Sequence, residues 1–184
     1  MSLVQPSVDP SPIIGFDFFD DFIGATYDNE AWALNGATMV SQNSLNGRVL
    51  ISGASGYVGL DPNRQFTSAQ NINIKWRGIL TPGSTSAECG VQNVSVSEWI
   101  SWYADSGNFK CQCGANAVDS GIAIDANNHI FEIIISTSLL QFFIDGRYAI
   151  TMNNTTTSAF TPYVWLAGTG SANMDYVLVQ GDRQ

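Results

Sequence analysis

From Phe16 onward, short runs of alternating apolar and polar residues are separated by clusters of Gly, Asn, Asp and Ser, at the spacing expected of an all-β sandwich. The alternation predicts strands over residues 38–40, 48–52, 57–60, 72–80, 88–92, 99–104, 108–113, 129–136, 140–144, 147–153, 163–168 and 174–180. No periodic run supports a helix of three turns, and the one short helical candidate is 27–33, opened by acids and carrying Trp32. The densest stretch is HIFEIIISTSLLQFFIDGRYAI, residues 129–150. There Phe131, Ile133 and Ile135 point one way while Ile130, Glu132 and Ile134 point the other. Both faces are largely apolar, as in a strand within a sandwich or beneath a covering layer. Phe142 and Ile144 likewise oppose Gln141 and Phe143. Asp145-Gly146 is a two-residue hairpin signal, because both positions tolerate positive φ. The pattern predicts a two-sheet antiparallel sandwich with a long central meander, and Phe131, Ile133, Phe142, Ile144, Val177 and Val179 as core positions.

The chain's 184 residues suit a single domain of this class. The first fifteen residues, MSLVQPSVDPSPIIG, hold three of the six prolines. Pro6, Pro10 and Pro12 exclude helix and oppose a central strand, which leaves an extended arm over 1–15 before a folded domain over 16–184. Leu3, Val4, Ile13 and Ile14 give that arm apolar anchors for a partner subunit.

Charge narrows the partners. Charged residues make up 12% of the chain and the net charge is −9, with no basic cluster, so neither nucleic acid nor an anionic membrane surface is an expected partner. No stretch approaches the ~20 apolar residues of a membrane-spanning helix. The opening residues lack the basic start and apolar run of a secretory signal, so the chain is expected to be made in a cytoplasm.

Few residues offer chemistry. Cys111 and Cys113 share a strand face and are poorly placed to bond each other; a Cys89 bridge to either would leave an odd thiol, and the three are read as reduced, partly buried thiols, with that bridge as the alternative. His129 is the single histidine and reads as structural, and no nucleophile elbow accompanies it. Asp20-Asp21 and the run at 125–128 lack the ligand spacing of a calcium loop, and no metal or cofactor is expected. Of five tryptophans most are assigned to the core or to subunit contacts. Trp99 and Tyr103, in EWISWY, fall on one strand face and are the candidate glycan-binding pair.

The order of segments carries a resemblance. H-x-F-x-I on one strand and L-Q-F-F-I-D-G-R at a hairpin, with FFDDFIG at the start, GRVLISGAS after the Trp32 segment and MDYVLVQG at the close, resemble the concanavalin A-like lectin/glucanase superfamily, laminin-G domains included. The resemblance spans residues 16–181 and implies a jelly roll of two antiparallel sheets with its last strand beside its first. Enzymes of that superfamily that resemble laminarinases use a strand motif E-x-D-x-x-E. Of the four glutamates here, Glu30, Glu88, Glu98 and Glu132, none has that spacing. Glu88 and Glu98 flank a hairpin and are the one pair that the pattern would let approach, whereas glycosidase chemistry needs two carboxyls roughly 5–9 Å apart.

These readings converge on a non-enzymatic protein with no catalytic residues. FFDDFIG followed by a Trp-bearing segment resembles the opening of many bacteriophage proteins. With a Pro-rich arm and a charge-poor jelly roll, the expectation is a capsid decoration protein located in the virion. Its partners would be the major capsid protein or other virion subunits, and it would itself be a homo-oligomer, a trimer being favoured. The alternative is a carbohydrate-binding module, which leaves a glycan open as a further partner.

Overall fold

The computed structural model describes residues 17–20, 32–35, 38–42, 48–52, 55–60, 65–67, 71–82, 86–93, 95, 97–105 and 107–181. The arm with Leu3, Val4, Ile13 and Ile14, most of the helical candidate 27–33 and the second acid of the Asp20-Asp21 pair lie outside them. Sixteen strands are described. They are β1 (Asp17–Asp20), β2 (Trp32–Asn35), β3 (Thr38–Gln42), β4 (Arg48–Ser52), β5 (Ser55–Leu60), β6 (Phe66–Thr67), β7 (Ile72–Thr81) and β8 (Ala87–Gln92). The second half holds β9 (Trp99–Ala104), β10 (Asn108–Cys113), β11 (Asn116–Ala123), β12 (His129–Ile135), β13 (Leu139–Ile144), β14 (Arg147–Asn153), β15 (Ala159–Ala167) and β16 (Ser171–Gln180).

They form two antiparallel sheets that stack as a jelly-roll sandwich. Sheet A runs β14-β13-β12-β7-β16-β4-β3, with β1 also on β16, and sheet B runs β11-β10-β9-β8-β15-β5-β2, with β6 on β15. The meander β12–β13–β14 closes through Asp145 and Gly146 at φ 52° and 74°, the left-handed pair that a two-residue turn requires. The last strand lies beside the first, Asp17 opposite Gln180.

Alternation sends every second residue into the space between the sheets. Phe131, Ile133, Phe142, Ile144, Val177 and Val179 are all buried there. The opposite face of β12 is only half-buried, so Ile130, Glu132 and Ile134 form an outer surface. Two indoles span the core in opposite directions. Trp76 of sheet A donates from Nε1 to the Gly90 carbonyl of sheet B at 3.2 Å, and Trp102 of sheet B donates to the Glu132 carbonyl of sheet A at 3.1 Å. Each bond gives a buried N–H its partner and ties one sheet to the other. Cys89, Cys111 and Cys113 are buried free thiols, and burial pushes the Cys89 and Cys111 thiols up.

Departures from the pattern have local causes. Trp32 and Ala33 belong to strand β2, not to a helix, because Trp32 pairs opposite Leu60 and packs on Trp76 at 6.0 Å. β11 is a solvent-facing edge strand, so its sequence NAVDSGIA shows no alternation to read. β15 starts four residues earlier than the pattern suggests, because Pro162 falls in the gap between its pairing with β6 and its pairing with β5.

Trp102→Phe keeps an aromatic ring in the core but leaves the Glu132 carbonyl without the indole. It is expected to cost about 1–3 kcal/mol, read from urea unfolding at unchanged slope.

Candidate functional site

The outer face of sheet B is organised in cross-strand rows. Trp165, Glu88, Tyr103 and Lys110 form one row across β15, β8, β9 and β10, and Tyr163, Gly90, Ser101 and Gln112 form the next. Thr161, Gln92 and Trp99 form the third. The middle row has almost no bulk at its centre, since Gly90 and Ser101 stand side by side. Large side chains surround this depression and enclose a cavity of about 270 Å³ lined by Glu88, Gln92, Trp99, Gln112, Tyr163 and Trp165. Gly90 is required by contact: a Cβ there would stand 2.1 Å from the Ile100 carbonyl oxygen.

Glu88 is the acid of this groove, and its side chain is held from within. Ser101 Oγ donates to Oε2 at 3.1 Å and Tyr163 Oη donates to the same oxygen at 2.8 Å. Burial raises the Glu88 pKa from 4.5 to about 6, against the opposing pull of the hydrogen bonds from Tyr163 and Ser101. The Tyr163 hydroxyl is pushed up by its own burial and then by the Glu88 charge. Such an acid switches between charged and neutral forms near neutral pH, which suits it to accepting a hydroxyl hydrogen bond or giving a proton.

The residues read from the sequence are placed as follows. Trp99 forms part of the groove wall. Tyr103 shares its face but lies one row out, beside Glu88, with Lys110 Nζ 5.7 Å from its ring centroid and Asp105 pairing that lysine at 2.8 Å. Glu88 and Glu98 do not come together. Glu88 pairs opposite Tyr103, five residues along β9 from Glu98, which is about 17 Å of strand. Glu98 instead accepts from the backbone N–H groups of Thr157 and Ser158, and the bonding at Ser158 holds its carboxyl below the usual range. In the run at 125–128, Asp125 is engaged by Asn127 and His129. Sequence reasoning missed Tyr163, Trp165, Gln92 and Gln112. The signal was present in the alternation of TPYVWLA, which puts Tyr163 and Trp165 on one face, but the pairing with β8 that sets them beside Glu88 is not local.

No family model matches the sequence, and no curated protein matches it. Solved structures match over nearly the whole chain. An endo-β-1,3-glucanase from Pyrococcus furiosus is 13% identical with a TM-score of 0.68, covering 89% of this chain and 93% of its own. The laminarinase catalytic domain from Thermotoga maritima is 13% identical with a TM-score of 0.67, covering 91% and 98%. A β-glucanase from Bacillus licheniformis is 10% identical with a TM-score of 0.65, covering 91% and 98%. The fold is therefore that of concanavalin A-like jelly-roll glucanases.

These matches overturn two expectations. A capsid decoration protein has no support in them, since the neighbours named above are glucanases by their names. The exclusion of enzymes also falls, because the named neighbours are glycan-cleaving proteins. The glutamate spacing itself stands, since Glu88 and Glu98 lie apart; the surroundings of Glu88 come from β9, β10 and β15, which no local motif reports.

Glu88 leaves a stability signature. Its folded pKa of about 6 exceeds its ordinary 4.5, so its favourable contribution is complete below 4.5 and lost as pH rises through about 6. At neutral pH the buried charge then costs about 2 kcal/mol. Glu88→Gln is expected to raise Tm near neutral pH and to have no such effect below 4.5, measured by thermal melts across that window. Gly90→Ala should instead destabilise by about 1–3 kcal/mol at every pH, since the Ile100 carbonyl has to move.

Proposed function

We propose that this protein takes a carbohydrate chain into the groove on the outer face of sheet B. The observation that carries the reading is the composition of the groove. Two tryptophans, a tyrosine, two glutamines and one acid surround a floor of Gly90 and Ser101, with no cation among the lining side chains. The apolar faces of pyranose rings pack on aromatic side chains such as Trp99 and Trp165, while glutamine amides and the Glu88 carboxyl suit sugar hydroxyls. The shared fold supports the same reading, and the β-glucans implied by the neighbours' names are the first class to test.

Hydrolysis of the bound chain is the second reading, and one observation favours it. Glu88, with a pKa of about 6, holds its proton into the range in which a general acid works. Glycoside hydrolysis commonly pairs two carboxyls across the bond, and the positions that share Glu88's face on β8 are Gly90 and Gln92. Hydrolysis here therefore rests on Glu88 as the acid that β8 supplies.

Affinity electrophoresis and calorimetry against laminarin, lichenan and a panel of other glycans test both readings. Binding is expected to at least one β-glucan, and Trp99→Ala or Trp165→Ala should each weaken it about tenfold, a loss of ~1.4 kcal/mol, without unfolding the chain. Reducing ends released by the wild type and abolished in Glu88→Gln would establish hydrolysis. Absence of binding across the panel, or both tryptophan variants binding as tightly as the wild type, would remove the groove as the site.

A further inference from the structure

One connection from sheet B to sheet A runs through residues 124–128, between β11 and β12. At its end His129 turns inward, edge-on to Phe109 at 5.6 Å and to Phe131 at 5.8 Å, with 12% of its side chain exposed. Both ring nitrogens meet a carboxylate. Nδ1 lies 2.7 Å from Asp145 Oδ2 in the β13–β14 turn, and Nε2 lies 2.9 Å from Asp125 Oδ1 in the crossover. A neutral imidazole has one N–H and one lone pair, so both contacts are hydrogen bonds only when the ring is charged. Each acid is also held from behind. The Ile130 N–H donates to Asp145 Oδ1 at 2.8 Å, and Asn127 donates to Asp125 from its backbone at 2.7 Å and from Nδ2 at 2.8 Å.

We propose that His129 is a proton-operated latch. Charged, it ties the β11–β12 crossover to the β13–β14 turn across the end of the sandwich; neutral, it releases the crossover at Asp125. Asp125 is the acid let go, because the Asp145 contact is shorter and Asp145 sits in a two-residue turn that β13 and β14 close on both sides. Three cations stand on the neighbouring strands. Arg147 leaves the turn opposite Ile144, Arg77 pairs with Asp175 at 3.3 Å beside Asn128, and Lys110 pairs with Asp105 on the sheet B side. The Ile124 N–H donates to the Gly107 carbonyl at 2.9 Å, so release at Asp125 loosens the β9–β10 connection as well.

Burial pulls the His129 pKa down, but hydrogen bonds and charge from Asp145 and Asp125 outweigh it, and the folded value stands above 6.5. The latch's stabilisation is therefore complete below 6.5 and lost as pH rises through that raised value. It operates whether or not the groove holds a carbohydrate.

Side-chain nitrogen NMR of the single histidine in the full chain reads the ring, and amide hydrogen exchange corrected for intrinsic rates reads the crossover. The expected result is a titration above 6.5, with protection of the hydrogen-bonded Ile124 and Asn127 amides of the crossover falling on the order of tenfold across it while the Asp145 amide of the turn stays protected. Asp125→Asn should lower the histidine's titration. His129→Phe, which keeps a ring against Phe109, should fold and show no step in crossover protection. A histidine titrating at or below 6.5, crossover protection without a step, or the same step in His129→Phe overturns the latch.

Discussion

The groove and the core meet at Gly90. Its carbonyl accepts the Trp76 indole from the opposite sheet, and its missing side chain lets β9 lie so close that a Cβ would stand 2.1 Å from the Ile100 oxygen. The close approach and the inter-sheet bond hold the centre of sheet B down. The low floor of Gly90 and Ser101 turns an otherwise flat sheet face into a depression with Trp99, Tyr163 and Trp165 standing around it. A bulkier residue at this position would push β9 away and fill the floor, so packing and site depend on the same absent atom.

The acid above that floor shows the opposite balance. Glu88 is buried with two hydroxyls on one carboxylate oxygen, yet those bonds do not fully offset the loss of water, and its pKa stays near 6. A residue kept only for stability would be expected to lose its charge to evolution, as a glutamine would satisfy the same hydroxyl donors at lower cost. A buried acid with a perturbed pKa, facing a cavity lined by aromatic rings, fits a site that trades stability for interaction.

How much of this could be read from the chain depends on how local the signal is. The meander from His129 to Asn153 was fully legible, since Phe131, Ile133, Phe142 and Ile144 alternate cleanly and Asp145-Gly146 marks the turn. Trp99 was legible as a same-face partner of Ser101 and Tyr103 by the same period. The groove was not. Tyr163 and Trp165 reach Glu88 only because β15 pairs with β8 across some seventy residues of chain, Tyr163 lying 75 residues beyond Glu88. The edge strand β11 is mostly exposed, with Ile122 half-buried against the core, and so carries too little alternation for a pattern. Function read from the FFDDFIG opening, the Pro-rich arm and the absence of paired glutamates went astray because none of these reports what four strands bring together.

Whether carbohydrate enters through the outer face of sheet B can be read from indole NMR during a β-glucan titration. The five tryptophans act as built-in reporters: Trp99 and Trp165 line the groove, while Trp32, Trp76 and Trp102 are buried in the core. Entry through the groove gives saturable shifts at the Trp99 and Trp165 indoles, with Trp102 nearly unmoved. Saturable binding that leaves both groove indoles unshifted would place the ligand elsewhere and contradict it.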